Sequence, residues 1–525
     1  MVVNLTSPGI QTRNIDLSTV VPSVSTLEGA MSGVFRWGPV NEPILVSSEV
    51  DLVRKFGAPA VDYNQETFFT AADFLAYSNA LFVVRVSDAN TATGDSNTDV
   101  GVIDAKYPGA IGNSLRIEIY NSVNEGTATF AGATQTTPQD ATHFNVIVVD
   151  SDGGVTGTAG SILETFENLS STVGEKTDDG SNNYMPTVIN DQSAFINFDT
   201  TVLTDLTGFS AFDVTLTGGD DGSTESTIAI GTLQAGYDHF NTVENIDISL
   251  VMQGKARGTG SDDELASYII QNIAEARKDC IALISPGRDA VVNNAGSEVT
   301  DISTFRNAIT NSSYAVMDSG YKYRYDKYND RYVYTPLNGD IAGLCVRTDS
   351  QRDPWFSPAG YNRGLIKNVI KLAWNPNKTA RDQLYKIDVN PVMTQVGEGT
   401  LLFGDKTMLG RASAFSRINV RRLFIILQKS VSLAARSTLF EFNDTFTRTQ
   451  FKNTVEPFLR DIQGRRGITD FRVVCDVTNN TPAIVDANEF VGDIYVKPAR
   501  SINFVQLNFV AVRTGVEFSE IVGQF

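Results

Sequence analysis

Residues 91–225 carry 20 acidic side chains against three basic ones, Lys106, Arg116 and Lys176, a net charge of −17 over 135 residues. The other 390 residues hold 41 acids and 39 bases and are close to neutral. A stretch that repels itself so strongly has to keep its charges in water and salt, so it is expected to fold as a unit with its own surface rather than thread through a shared core. Within the near-neutral remainder, residues 401–472 hold 13 bases and six acids. The chain therefore has one acidic portion and one basic portion. Its 525 residues suffice for about three or four domains. The overall charge of −19 argues against wrapping a polyanion such as DNA.

The texture of the sequence changes where the charge does. Residues 32–85 alternate strand-like and helical pieces. Phe68, Ala72 and Leu75 share a helical face, and Leu81-Phe82-Val83-Val84 reads as a buried strand. From Thr91 onward, Gly, Ser, Thr, Asn and Asp surround short β runs such as 115–120 and 144–149, until Leu216-Thr217-Gly218-Gly219-Asp220-Asp221-Gly222. The α/β pattern then resumes. Ser261-Asp262-Asp263-Glu264 forms a capping box, Leu265, Ile269, Ile273 and Ala276 recur at helical spacing, and Cys280-Ile281-Ala282-Leu283-Ile284 reads as a buried strand. Material of one texture on both sides makes the acidic segment an insertion whose ends lie close together. The expected class is α+β or α/β, multidomain, with a β-rich inserted domain.

Toward the C-terminus, Leu423, Ile426, Leu427, Val431 and Ala434 define an amphipathic helix. Phe451, Val455, Phe458, Leu459 and Ile462 define a second one, expected to be interrupted and kinked at Pro457. Their polar side is expected to display Arg421, Arg422, Lys429, Arg448, Lys452, Arg460, Arg465 and Arg466. Segments 494–496 and 501–513 read as strands. Residues 1–20, with Pro8-Gly9 between short apolar-alternating pieces, and the final residues, where Val516 and Phe518 alternate with Glu517 and Ser519, read as extended arms.

Little in the chain supports catalysis. His143 and His239 are the only histidines, and Cys280, Cys345 and Cys475 are too scattered for a disulfide framework or a thiolate cluster. No phosphate-binding loop, nucleophile elbow or dinucleotide fingerprint is found. No apolar run approaches the length needed to cross a bilayer, and the start lacks the pattern of a signal peptide, so folding in a reducing cytoplasm is expected. The turn Gly218-Gly219-Asp220-Asp221-Gly222 has the composition of a metal-binding or nucleotide-cyclase loop, but a tight turn closing the insert explains it more simply. Tyr321-Lys322-Tyr323-Arg324-Tyr325 and Arg331-Tyr332-Val333-Tyr334 alternate aromatic and charged residues across an expected hairpin. A two-faced structural sheet is preferred there to a base-stacking platform.

Several motifs in order resemble the tail sheath proteins of contractile-tailed bacteriophages. They include Ser7-Pro8-Gly9-Ile10, Phe35-Arg36-Trp37-Gly38-Pro39-Val40, Phe74-Leu75-Ala76-Tyr77-Ser78-Asn79 and Tyr107-Pro108-Gly109-Ala110-Ile111-Gly112-Asn113. Ser285-Pro286-Gly287-Arg288, Trp355-Phe356-Ser357-Pro358-Ala359-Gly360-Tyr361-Asn362-Arg363-Gly364, Ile418-Asn419-Val420-Arg421-Arg422-Leu423 and Lys497-Pro498-Ala499-Arg500-Ser501-Ile502-Asn503 continue the match over nearly the whole chain. Between Ala89 and Tyr107 this chain is short where larger sheath relatives carry an additional outer domain.

The resemblance implies the phage tail sheath fold and a structural, non-enzymatic subunit without cofactor or metal. It implies an N-terminal arm at 1–20, a middle α/β domain formed by 21–90 and 226–388, an acidic outer domain at 91–225, an assembly domain at 389–513 and a C-terminal arm at 514–525. Partners would be further copies in stacked hexameric rings, the tail tube, the baseplate and the tail terminator, with no direct nucleic-acid contact and no membrane insertion. The location would be the virion tail, assembled in host cytoplasm. The arm residues Val3, Leu5, Ile10, Ile15, Leu17, Val516, Phe518 and Ile521 are then expected to contact neighbouring subunits. The basic residues Arg448, Lys452, Arg460, Arg465 and Arg466 are expected to face the tube. A sheath of a phage-tail-like bacteriocin or secretion apparatus is the alternative, and a metal-dependent nucleotide enzyme a remote one.

Overall fold

The structure, a computed structural model, describes residues 26–89, 103–123, 137–198, 212–257 and 264–503. Both arms, most of the 261–264 capping box and the 504–513 stretch lie outside these residues.

Seven strands form the central sheet, in the order Val389–Asn390, Ala315–Asp318, Ile281–Ile284, Leu250–Met252, Gly29–Val34, Leu81–Val86 and Pro43–Val46. All neighbours are parallel except the last pair. Parallel strands need cover on both faces, and the side chains sort accordingly. Ala30, Val34, Val84, Val251, Ala282 and Met317 pack into one core. Met31, Val83, Leu250, Leu283 and Val316 pack into the other. The helix Gln65–Leu75 lies so close to the sheet that a Cβ on Gly33 would meet Thr67 Cγ2 at 2.3 Å. Beside it on the same face of the sheet, a Cβ on Gly339 of helix Asn338–Gln351 would meet the Thr70 carbonyl at 2.4 Å. These two approaches bury the first ten residues of the helix, polar ones included.

Leu265, Ile269 and Ile273 are buried as the helical spacing predicts, but Ala276 is exposed and Ala274 takes its place. The cause is a π-helical stretch, Ile269–Ala274. Its wider turn carries each later residue round the axis, away from the face a 3.6-residue period assigns.

The chain leaves the sheet after Leu81–Val86 and returns before helix Ile230–Asp238. Between them lies a four-stranded antiparallel sheet in the order Ser161–Ser170, His143–Asp150, Leu115–Asn121 and Phe212–Thr215. A separate pair joins Ile103–Ala105 to Ile196–Phe198, and helix Met185–Gln192 covers the result. Their core includes Ile117, Ile119, Val146, Val148, Met185 and Ile189, and Trp37 is the residue it draws from outside the segment.

The C-terminal helices are Ile418–Ala435 and Thr445–Gly464, packed on a two-stranded ribbon, Ile468–Val474 with Asp493–Pro498. Leu423, Leu427, Phe451, Val455, Leu459 and Trp355 form their core. Asp444 starts the second helix, its carboxylate accepting from Thr447 N at 2.8 Å. That helix runs unbroken through Pro457, contrary to the interruption expected there. The expected boundary at 389 falls inside the central sheet, where Val389–Asn390 is an edge strand.

Candidate assembly interface

Both described chain ends are pinned to the start of one helix, Ile418–Ala435. At the N-terminal side, Thr26 Oγ1 donates to Asp349 Oδ2 at 2.5 Å, and Arg422 NH1 donates to Asp349 Oδ1 at 2.7 Å. This ion pair is almost wholly buried. At the C-terminal side, Ser501 Oγ donates to Asp405 Oδ2 at 2.6 Å and Asn503 Nδ2 to Asp405 Oδ1 at 2.9 Å. Arg417 NH1 reaches the same carboxylate at 2.8 Å and the Tyr385 hydroxyl at 2.6 Å. Arg417 is the N-cap of the helix and Arg422 lies five residues on, so the two anchors are separated by only about 8 Å of helix rise.

The ribbon lies in the same part of the molecule. Its strands pair only with each other among the described residues, so their outer edges carry unpaired backbone groups. A two-stranded ribbon is marginal alone. This one is supported on one face by Phe451, Val455 and Leu459 of the second helix. The arm residues Val3, Leu5, Ile10, Ile15, Leu17, Val516, Phe518 and Ile521 lie outside the described residues. Asp349, Asp405 and Tyr385 carry no sequence signal of their own, because each acquires its role from partners distant in the chain.

The basic helix faces differ from expectation. Arg421 is buried, its guanidinium 4.1 Å from the rings of both Tyr314 and Phe415, and burial lowers its pKa. Arg422 is committed to Asp349, and Lys429 pairs with Asp247. Arg448, expected to face a tube, is buried and donates to Asn443 Oδ1 at 2.7 Å and to its carbonyl at 3.0 Å. The three arginines are internal because the helices are covered on more than one side, whereas Lys429 is half-buried at the edge. Lys452 stays accessible, 3.5 Å from Glu456 one turn on. Arg465 pairs with Asp353 and lies 5.2 Å from the Trp355 ring, while Arg460 and Arg466 are exposed.

The remaining sequence candidates are structural. In the 218–222 turn, the Asp221 carboxylate accepts from Arg36 Nε at 3.1 Å and from Ala110 N at 2.8 Å, and its carbonyl accepts from the Tyr63 hydroxyl. Asp88 accepts from Ser223 N at 2.7 Å, so the two ends of the insert do lie together. The Glu225 carboxylate caps the helix Gln65–Leu75, accepting from Glu66 N and Thr67 N at 3.2 and 2.9 Å. Burial holds its pKa above the usual carboxylate range, and the nearby Glu66 carboxylate adds to the shift. Arg85, fully buried, donates to the carbonyls of Phe35, Gly38 and Pro108. The insert is thus joined to the body by hydrogen bonds, buried at Glu225, part-buried at Asp221 and Pro108 and exposed at Asp88.

His143 is buried between Asp140 at 2.8 Å and Glu175 at 3.2 Å, and His239 is exposed. Among the described residues, no group of three or more His, Cys, Asp or Glu side chains could hold a metal ion, and no helix is long and apolar enough to cross a membrane. The three cysteines are free and buried.

The tyrosine hairpin forms as Tyr321–Asp326 with Arg331–Pro336, and its charged face is the buried one. Lys322 sits between Asp73 and Asp340 at 2.9 and 2.8 Å, and Arg324 lies 4.2 Å from the Phe69 ring.

Three family descriptions match the chain: phage tail sheath C-terminal domain over residues 411–511, phage tail sheath protein central domain over 250–408, and tail sheath protein Gp18 domain III N-terminal region over 30–86. The tail sheath protein of Vibrio phage KVP40 is 33% identical over 679 aligned residues, covering 99% of this chain and 100% of the relative. That alignment is longer than this chain, so the relative carries sequence absent here. The tail sheath protein of Enterobacteria phage T4 is 31% identical, covering 99% and 100%. Among solved structures, the sheath tail protein of Listeria innocua superposes with a TM-score of 0.57 at 12% identity, over 91% of this chain and 96% of that one. A sheath complex of an extracellular contractile injection system in the contracted state gives 0.54 at 10% identity, over 97% and 98%. With full-length identity above 30% to two phage proteins, and sheath-specific matches at its N-terminal, central and C-terminal parts, the chain belongs to the phage tail sheath protein family.

Proposed function

We propose that this chain is the structural subunit of a contractile tail sheath. It polymerises as stacked hexameric rings around the tail tube and shortens to drive the tube through the host envelope for genome ejection. The observation that carries the reading is the convergence of the first and last described residues, Thr26 and Ser501 to Asn503, on the start of helix Ile418–Ala435, beside a ribbon with open edges. Arms leaving one subunit can complete the ribbons of others, gaining main-chain hydrogen bonds and side-chain register at once. Each ribbon, marginal as two strands, is stabilised by the strands it receives, so folding and assembly are linked.

Shortening is then a rigid-body rotation of subunits about their arms, driven by contacts between subunits that improve in the short state. The hydrogen-bonded junction at Asp88, Asp221 and Glu225 carries the acidic insert along with the body. The tube contact falls to Lys452, Arg460, Arg465 and Arg466. Exposed pairs at such positions contribute roughly 0–1 kcal/mol each, which suits a contact that templates assembly and later releases. Baseplate and terminator proteins bound the polymer at its two ends, in the virion tail, after assembly in host cytoplasm. The similarity to the injection-system sheath supports a second reading, a sheath on a bacteriocin or secretion apparatus, built on the same mechanics.

Negative-stain electron microscopy of the expressed full-length chain tests the proposal. Hollow striated cylinders are expected, and dispersed single particles at every concentration and salt would overturn it.

A further inference from the structure

The largest apolar exposure in the C-terminal part belongs to the loop between its two helices. Phe440 is fully exposed, Phe442 is 84% and Phe446 75% exposed, and Leu439 lies beside them. Leaving such side chains in water forfeits about 1.5–3 kcal/mol each, and a rimmed patch of this kind marks a protein contact. Its rim is acidic. Residues 436–448 and 472–497 hold six acids and four bases, and one of those bases, Arg448, is buried, so the exposed balance is acidic. The two segments are held together by Asn443 Nδ2 donating to the Glu489 carbonyl at 2.7 Å.

A second apolar face has the opposite rim. Tyr361, Leu365, Ile370, Val396 and Phe403 are exposed. Tyr361, Leu365, Val396 and Phe403 form one surface, since the Tyr361 and Phe403 rings are 6.4 Å apart, Tyr361 hydrogen-bonds Gln395 beside Val396, and Leu365 bridges to Leu401. Residues 354–382 and 395–403, which supply this face, hold five bases, Arg363, Lys367, Lys371, Lys378 and Arg381, and two acids, Asp382 and Glu398, a net positive rim.

We propose that the phenylalanine loop of one copy docks on this base-rimmed face of a second copy. The proposal rests on the sheath reading and supplies an intersubunit contact beyond the arms. Three arguments select the occupant. The rims have opposite sign, so the contact attracts at long range and fixes register. Pairing of the loop with itself would oppose acid to acid. Within one copy the two patches cannot meet. Ile418 shares a core with Ile366 and Leu402 beneath the base-rimmed face, whereas the loop follows the other end of the same 18-residue helix, about 27 Å away. Two different patches joining head to tail make a heterologous contact, the kind that propagates helically.

Full-length Phe440→Ser/Phe442→Ser, Glu441→Lys/Glu489→Lys and Lys371→Glu/Lys378→Glu, with the quadruple charge swap, test it by sedimentation velocity and electron microscopy. Circular dichroism melts serve as the folding control. The replaced side chains are exposed, so melting temperatures should match wild type. Each double variant should reduce the polymerised fraction at least tenfold, and the charge swap should restore it to within twofold. Cylinders of wild-type length from the phenylalanine variant, or a swap that fails to restore assembly, overturn this contact alone. A wild-type chain that never forms cylinders removes the sheath reading and the contact with it.

Discussion

Asp318 ends the strand Ala315–Asp318 fully buried, accepting from Ser285 Oγ at 2.6 Å and Gly320 N at 2.8 Å. Burial pushes its carboxyl up to about 8, against about 3.9 in an unfolded chain. As pH rises from about 4 to 8, the unfolded chain releases this proton while the folded chain retains it. The contribution of Asp318 to stability is therefore complete at the acid end of that window and is lost toward the alkaline end. In Asp318→Asn, the urea midpoint should change less between pH 5 and pH 8 than in wild type. An unchanged pH dependence would contradict the assignment. Asp349→Ala leaves Arg422 buried without its carboxylate and should cost about 3–5 kcal/mol in denaturant unfolding. Residues of this kind were not legible in the sequence. The alternation of Tyr and charged residues at 321–326 announced two faces, but only Asp73 and Asp340, brought in by other helices, decide that Lys322 is the inward one.

At the level of elements, apolar periodicity located the helices at 418–435 and 445–464, each with a dominant buried face, while helix 65–75 and the strands at 81–86, 115–121, 143–150 and 281–284, largely buried all round, were marked by their apolar runs. It failed where a second surface covers an element. Arg421 and Arg422 stand opposite the apolar stripe of their helix, yet the helix is wedged against the Tyr314 ring and helix Asn338–Gln351, so both guanidiniums are internal. Periodicity also failed at Ile269–Ala274, where the π turn shifts the register. Pro457 is exposed within a continuous helix. Restoring the missing backbone donor with Pro457→Ala should raise stability by up to about 3 kcal/mol. A lower melting temperature would show instead that the proline is needed where it stands.

At the scale of the whole molecule, the charge count sets residues 91–225 apart from the rest, and the described part of that segment holds an antiparallel sheet with a core largely its own. The site was only half legible. The extended arms expected from alternation and turn residues lie outside the described residues, and the common anchor of the described ends could not be read, since Thr26, Asp349, Asp405 and Asn503 are dispersed along the chain. Lys452→Glu with Arg460→Glu should weaken tube-templated assembly at low salt and have little effect at high salt, where exposed charges are screened. Equal assembly on tubes at low salt would reject that contact.

The central claim is that copies are joined through their own two ends. A reconstruction of the native particle, at a resolution that traces both termini, measures this directly. The account predicts residues 1–20 and 514–525 of each subunit lying as added strands on the ribbons, 468–474 with 493–498, of other copies. Termini folded back onto their own subunit, with every ribbon left two-stranded, would contradict it.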